Sequence, residues 1–345
     1  MASTALIPTS NAPITDQLPN GAQFIRKVGL LVGNGTNAID LSNLRITFHT
    51  EQCDTPPPNT GVIRVYNLSR TTLNTIIGNG GSAEYTQVIL QAGYQNSAYG
   101  VIFKGDIKRF KYGRESNIDS YLDILAADAD IEYNFGFINQ TLAKGSNLVD
   151  RYNQVLQAFA QARGNNSLSA AQNNAGVLNG SGGVVLKRGK VMFGMARAAA
   201  DDIVKTVNVK WSIQNGVLTF VPLTGYLPGQ AVVLNSYTGL IGTPEATDNG
   251  VLVKCLLNPN IKVGGLIQIN NSLISQTKVT ASGQTGYPNY GNLYFPADTT
   301  ADGFYRVLVV EYEGDTRGNP WYSNLICLAA DTSASSNTGA VKAYG

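Results

Sequence analysis

Apolar residues recur at every second position near both ends of this chain and at every third or fourth position in its middle, so no single uniform layer can accommodate it. In Leu44–His49 the even positions are apolar and the odd ones polar. Val88, Leu90, Ala92 and Tyr94 share one face of a second strand. Tyr99, Val101, Phe103 and Ile107 share one face of a third, opposite Lys104, Asp106 and Lys108. Between them Ser69 is placed to cap a short helix carrying Leu73, Ile76 and Ile77 and ending at Gly78. Strands at this spacing, broken by Pro and Gly, predict a small antiparallel barrel or sandwich over residues 21–135.

The period then changes. Leu148, Tyr152, Val155, Leu156 and Phe159 follow the spacing of an amphipathic helix, with Ser146 expected as its cap and Gly164 as its stop. The polar stretch 164–183 is expected to be a loop long enough to be functional or mobile. A second helix is expected over Val191–Thr206, packing through Met192, Met195, Ala199 and Ile203. Asn215-Gly216 is a strong hairpin signal, because both central residues of a type I′ turn need positive φ. That turn pairs Ile213 with Leu218 and Trp211 with Phe220, and sends Ser212 and Thr219 to the other face.

Period two resumes in 251–257, 261–270, 306–313 and 321–328, with turns at Gly264-Gly265 and Gly314–Pro320. The expected class is mainly β with an α/β insert: two small antiparallel β-barrel-like domains, 21–135 and 243–330, flanking a helical and hairpin region, 136–242. Residues 1–20 read as an N-terminal extension and 331–345 as a flexible tail.

A chain of 345 residues with 43 % hydrophobic residues can bury a substantial core. Only 14 % of it is charged, against roughly 25 % in an average soluble domain. Such a balance favours turn-rich β architecture and large surfaces buried against other subunits. A net charge of +2 provides no basic footprint for specific nucleic-acid binding. Residues 1–20 show no secretory pattern, and no apolar run reaches membrane-span length. Cys53, Cys255 and Cys327 form neither a disulfide framework nor a zinc spacing, so folding in a reducing cytoplasm is expected.

Few residues invite chemistry. His49 and Cys53 lie four apart, but on an extended strand that is roughly 13 Å, too far for a nucleophile and its base. Glu311 and Glu313 project from one strand face roughly 6–7 Å apart, a separation within reach of paired glycosidase acids. The plainer reading is the solvent side of a strand whose other face is Leu308, Val310 and Tyr312. Asp201-Asp202, Asp128 and Asp130 read as helix surface and strand end. Lys187-Arg188-Gly189-Lys190 fails the phosphate-loop pattern, since Val191 stands where a hydroxyl is needed. That basic cluster reads as a solvated approach to a helix. The Gly-rich stretches near Gly33, Gly78 and Gly180 fit no dinucleotide fingerprint. No catalytic, cofactor-binding or metal-ligating residue is assigned, and no enzymatic activity or cofactor is expected.

The run Leu240–Glu245 leading into Gly250–Pro259 resembles a stretch of the baseplate hub proteins of tailed bacteriophages, as do Ile261–Ile269 and Gly314–Trp321. Ile63–Ser69, Val88–Tyr94 and Val101–Ile107 point the same way, in the same order. The resemblance covers most of residues 40–330 and rests on strand and turn sequence. It implies two tail-tube-like barrels in one chain. Three chains would then form a ring between the six-fold tail tube and a three-fold spike, at the tail tip of a virion assembled in the host cytoplasm. Implied partners are two further copies of the chain, the tail tube protein, the central spike protein, other baseplate proteins and the tape measure protein. DNA would pass without sequence-specific contact, and no stable membrane insertion is implied. Two rival readings are a tail-associated cell-wall hydrolase using Glu311 and Glu313, and a receptor-binding tail protein, to which 17 tyrosines lend support.

Overall fold

The computed structural model describes residues 23, 25–33, 38–78, 86–164, 168–171, 174, 177–178, 185–223, 225–247, 250–269, 275–276 and 303–330. The first third of the chain supplies β1 (Arg26–Val32), β2 (Ile39–Asp40), β3 (Ile46–Cys53), β4 (Thr60–Tyr66), α1 (Arg70–Ile77), β5 (Gln87–Tyr94), β6 (Tyr99–Arg114) and β7 (Ser120–Ala127). The middle supplies α2 (Asp130–Phe135), β8 (Phe137–Leu142), α3 (Leu148–Ala162), β9 (Ser169–Ala170), β10 (Lys190–Met195), α4 (Ala196–Val207), β11 (Val209–Gln214) and β12 (Val217–Pro222). The last part supplies β13 (Val232–Leu234), β14 (Leu240–Thr247), β15 (Gly250–Leu256), β16 (Leu266–Ile269), β17 (Ser275–Gln276), β18 (Phe304–Asp315) and β19 (Trp321–Ala329).

The fold is mainly β, with few helices and large antiparallel sheets, as the alternating pattern predicts; no sheet closes into a barrel among the described residues. One sheet runs through both β regions in the order β17-β14-β15-β19-β18-β3-β4-β7-β6-β5-β1-β2, with β16 also on β18 and β13 on β16. Its inward residues build one core that mixes both ends of the chain, from Leu30, Ile63 and Phe103 to Val253, Tyr312 and Trp321. A separate core, containing Tyr152, Phe159, Ile203, Trp211 and Phe220, belongs to the middle region.

The same strand order occurs twice in this sheet. One set runs β1-β5-β6-β7-β4-β3, the other β13-β16-β18-β19-β15-β14, and the members appear in the same sequence along the chain. Even the irregularities coincide. β6 slips register against β7 between Ile107 and Arg109, and β18 slips against β19 between Val307 and Val309. The copies differ in that β1–β5 is antiparallel and β13–β16 parallel. They join where β3 pairs along β18, Cys53 with Val309 through Thr47 with Asp315.

Local details follow the sequence with several corrections. Helix α1 has the expected Ser69 cap, whose side chain accepts from Thr72 N–H, and it ends at Gly78. Helix α3 is capped by Asn147 rather than Ser146. Asn147 and Asp150 exchange side-chain-to-backbone bonds in a capping box, which a residue one place earlier cannot complete. The second helix begins at Ala196, because Lys190–Met195 instead pairs with β8. Val191 and Phe193 suit a strand, and Gly194 holds φ at 134°, outside the helical region. Hence the Lys187–Lys190 cluster leads into a strand, and Lys190 bonds Asp202 at 2.5 Å. The hairpin has the predicted register, Ile213 with Leu218 and Trp211 with Phe220, with φ of 54° and 76° at Asn215 and Gly216. Ser212 and Thr219 are nonetheless buried, so neither face of that hairpin is simply solvent. The strand expected over 261–270 is reduced to β16, as residues 261–265 form the turn around Gly264-Gly265. A bulge between Leu90 and Gln91 breaks the expected single face of Tyr99, Val101, Phe103 and Ile107. Ile102 and Phe103 are both buried, and so is Asp106 on the expected polar face.

Candidate functional site

Two groups of polar residues stand apart from ordinary surface. The first lies on the outward face of the large sheet at the β3–β18 junction. Alternation turns Phe48 and Thr50 inward with Val310 and Tyr312, so their neighbours His49, Glu51, Glu311 and Glu313 face out. Pairing sets Glu51 directly opposite Glu311 and His49 directly opposite Glu313. Cys53 stands two residues along, its Sγ 3.5 Å from Glu51 Oε1. Thus residues that lay far apart in sequence share one patch.

The patch lacks the arrangement a nucleophile needs. Burial, reinforced by Glu51, pushes the Cys53 thiol up to about 11, away from the thiolate. The side chain facing that sulfur is a carboxylate, which opposes ionisation rather than assisting it. Glu311 and Glu313 alternate with buried Val310 and Tyr312 along an open sheet face. Among the described residues, no three His, Cys, Asp or Glu converge as metal ligands.

The second group is a buried polar joint where the middle region meets the sheet. The hairpin tip enters it. Both Asp128 carboxylate oxygens accept backbone N–H groups, from Asn215 at 2.5 Å and Gly216 at 2.9 Å. Asn215 Oδ1 in turn accepts from Gln52 Nε2 at 3.1 Å and Lys104 N at 3.0 Å. Asn59 Nδ2 donates to Ile213 O and to Gln214 Oε1, and Gln214 Nε2 donates to Cys53 O. Burial pushes the Asp128 carboxyl up to about 8 against these donors.

Charged pairs flank that hairpin. Asp106 bonds Arg163 at the end of α3, whose Nε lies 2.7 Å from Glu132 Oε1. Lys108 bonds Asp130. Arg306 bonds Asp54 and also donates to the carbonyls of Pro222, Leu223 and Gly225 at 2.8, 3.1 and 2.9 Å. Burial raises the Asp54 carboxyl while Arg306 opposes the rise. A small cleft lined by Lys104, Asp106, Asp128, Glu132 and Arg163 marks the same joint. Asp128 and Asp130 are therefore buried fastenings, not strand-end surface. Asp201 and Asp202 are also engaged: Asp201 accepts from Trp211 Nε1 at 2.7 Å, and Asp202 bonds Arg151 at 3.0 Å. Sequence reading missed Arg163, Arg306 and Asp54 because lone charges in strands and caps ordinarily face water. Asp106 likewise alternates with apolar residues and reads as an ordinary polar face, so no local signal marks it.

A family model described as baseplate hub gp41 matches residues 25–276. This chain belongs to the baseplate hub gp41 family. That family is one of structural components of the phage tail. Two solved structures share its fold. A tail protein from Neisseria meningitidis MC58 aligns with a TM-score of 0.52 at 8 % identity, over 88 % of this chain and 96 % of that one. The 43 kDa tail protein of prophage MuSo2 from Shewanella oneidensis aligns with a TM-score of 0.52 at 6 % identity, over 89 % of this chain and 100 % of that one. At such identities the likeness is one of fold. A search of curated proteins finds no match. Among the described residues no helix is long and apolar enough to cross a membrane.

Proposed function

We propose that this hub is the ring subunit that adapts the six-fold tail tube to a three-fold spike at the tail tip. The observation that carries the reading is the strand order that occurs twice in one sheet. A homotrimer of such chains offers six near-equivalent sheet units to the tube above and three whole chains to the spike below. The two tube-like modules are then 21–135 and 243–330, the second extended back to β13 at Val232, with the helical and hairpin region between them as the decoration that differs. Tail tube protein, central spike protein, further baseplate proteins and the tape measure protein are the partners this position requires.

The outward sheet face at the β3–β18 junction fits the wall of the DNA channel. Glu51, Glu311 and Glu313 there repel phosphate, so this junction does not hold a passing duplex. The role needs no catalysis. Gold-labelled antibody against the chain, viewed on intact virions by electron microscopy, tests the placement. Label confined to the tail tip is expected. Label along fibres would return the receptor-binding reading, and a cleared zone on a peptidoglycan zymogram would return the hydrolase.

A further inference from the structure

The two copies of the strand order are not equally satisfied at their edges. In the second copy, β18 has β19 along one edge. Its other edge is shared, β16 covering Phe304–Arg306 and β3 covering Val309–Asp315. In the first copy, β6 likewise has β7 along one edge and β5 along Tyr99–Asp106 of the other. Beyond the bulge, at Arg109–Arg114, that second edge of β6 carries no strand among the described residues. Aligning the two bulges places Tyr112 at the position of Tyr312. Tyr312 is 1 % exposed under β3, whereas Tyr112 is 67 % exposed.

We propose that β6 residues 109–114 pair antiparallel with β14 of a second copy of this chain, reproducing between chains the β3–β18 junction found within one. The strand equivalent to β3 is β14, since each pairs with the strand that continues the order (β4 or β15). The register follows from the same equivalence. Within the chain Glu311, Tyr312 and Glu313 face Glu51, Thr50 and His49. Glu51, Thr50 and His49 face Thr60, Gly61 and Val62, as Thr247, Ala246 and Glu245 face Gly250, Val251 and Leu252. Lys111 therefore faces Thr247, Tyr112 faces Ala246 and Gly113 faces Glu245 of the second copy.

Charge agrees with this register. Arg109, Lys111 and Arg114 are exposed and take part in no ion pair among the described residues. Glu245 of the second copy falls one same-face step from Lys111, a diagonal cross-strand pair of opposite sign. In the single chain, Ser275-Gln276 pairs in parallel with Glu245-Ala246 on the β14 edge. The incoming β6 replaces that two-residue contact with a longer antiparallel one. An open edge of this kind is where proteins accept a strand from another chain.

The proposal rests on the ring reading, and one experiment separates the two. The full chain with Cys53→Ser, to remove the half-exposed native thiol, carries Lys111→Cys and Thr247→Cys. Directly opposed antiparallel residues lie within disulfide reach, and the two positions sit on opposite ends of the sheet of one chain. Mild oxidation is expected to yield covalent trimers that reducing agent dissolves, while Lys111→Cys with Leu240→Cys yields none. Light scattering gives the mass of the unoxidised protein alongside. A trimer that does not crosslink would overturn this seam and leave the ring intact. A chain that is monomeric or dimeric up to its solubility limit would overturn the ring reading and the seam with it. As a variant independent of thiol chemistry, Tyr112→Asp is expected to convert trimer to monomer, and a Tyr112→Asp trimer would count against the seam.

Discussion

Asp106 and Arg306 occupy the same place in the two copies of the strand order, immediately before the bulge, and carry opposite charge. Both are buried, with exposures of 1 % and 5 %. Each receives a fastening from the middle region. Asp106 takes Arg163 from the end of α3, and Arg306 takes the carbonyls of Pro222 at the end of β12 and of Leu223 and Gly225 just after it. The two copies of the strand order thus hold the middle region at two places, Arg163 and residues 222–225, through opposite chemistry. The position is set by the fold, but the sign of the charge is set by what docks there. Were both positions of one sign, the middle region would have to present like groups at both contacts, and its orientation on the sheet would be less specified.

Removing either charge tests that comparison, and the two losses should differ. Arg306→Met leaves Asp54 buried with only the more distant Lys210, 3.7 Å away; a destabilisation of about 3–5 kcal/mol is expected from urea unfolding. Asp106→Asn leaves Arg163 its bond to Glu132 and should cost only about 1–3 kcal/mol. Equal losses would mean that the two fastenings are not energetically distinct. The tyrosines sharpen the contrast between modules. Tyr312→Ala should cost about 3–5 kcal/mol, as large core truncations do. Tyr112→Ala in the monomer should stay within about 0.5 kcal/mol, as for surface changes.

A pH dependence separates the joint from the rest of the sheet. The Asp128 carboxyl titrates at about 8 when folded against 3.8 ordinarily. Between those values the folded chain holds a proton the unfolded chain has lost, so stability should fall as pH rises from about 4 to about 8. Urea midpoints at several pH values measure that slope, and Asp128→Asn should flatten it. A further small effect belongs to the first copy of the strand order alone. Ser69→Ala removes the cap of α1 and should cost about 1 kcal/mol by the same unfolding assay.

Much of this architecture is written in short-range pattern. Alternation in 44–49 and 88–94, the Ser69 cap and the Asn215-Gly216 turn each act through neighbours a few residues away, so sequence shows them directly. The β3–β18 junction does not, because nothing in Phe48 or Tyr312 names its distant partner. Nor do the buried fastenings, since Asp106 and Arg306 look solvated until a partner from elsewhere arrives. The strand at Lys190–Met195 was obscured for a related reason: its β8 partner outweighs the helical spacing of Met192 and Met195. The exposed patch lay between these cases. Glu311 and Glu313 were visible as a pair, but their meeting with Glu51 and His49 depends on the long-range register.

That long-range register also sets a timetable. Cys53 must wait for Val309, and Thr47 for Asp315, before β3 gains its second neighbour. A ribosome releases the chain from the N-terminus, so the first module emerges with an open strand edge and keeps it through nearly the whole of synthesis. Pairings so distant in sequence also close slowly once both strands are present. During that interval β3 can capture an equivalent strand from another nascent chain, giving a swapped assembly instead of the native sheet. The polar outward residues His49 and Glu51 on β3 fit that hazard, because charge at an unpaired edge disfavours sticking to like edges until the proper strand arrives.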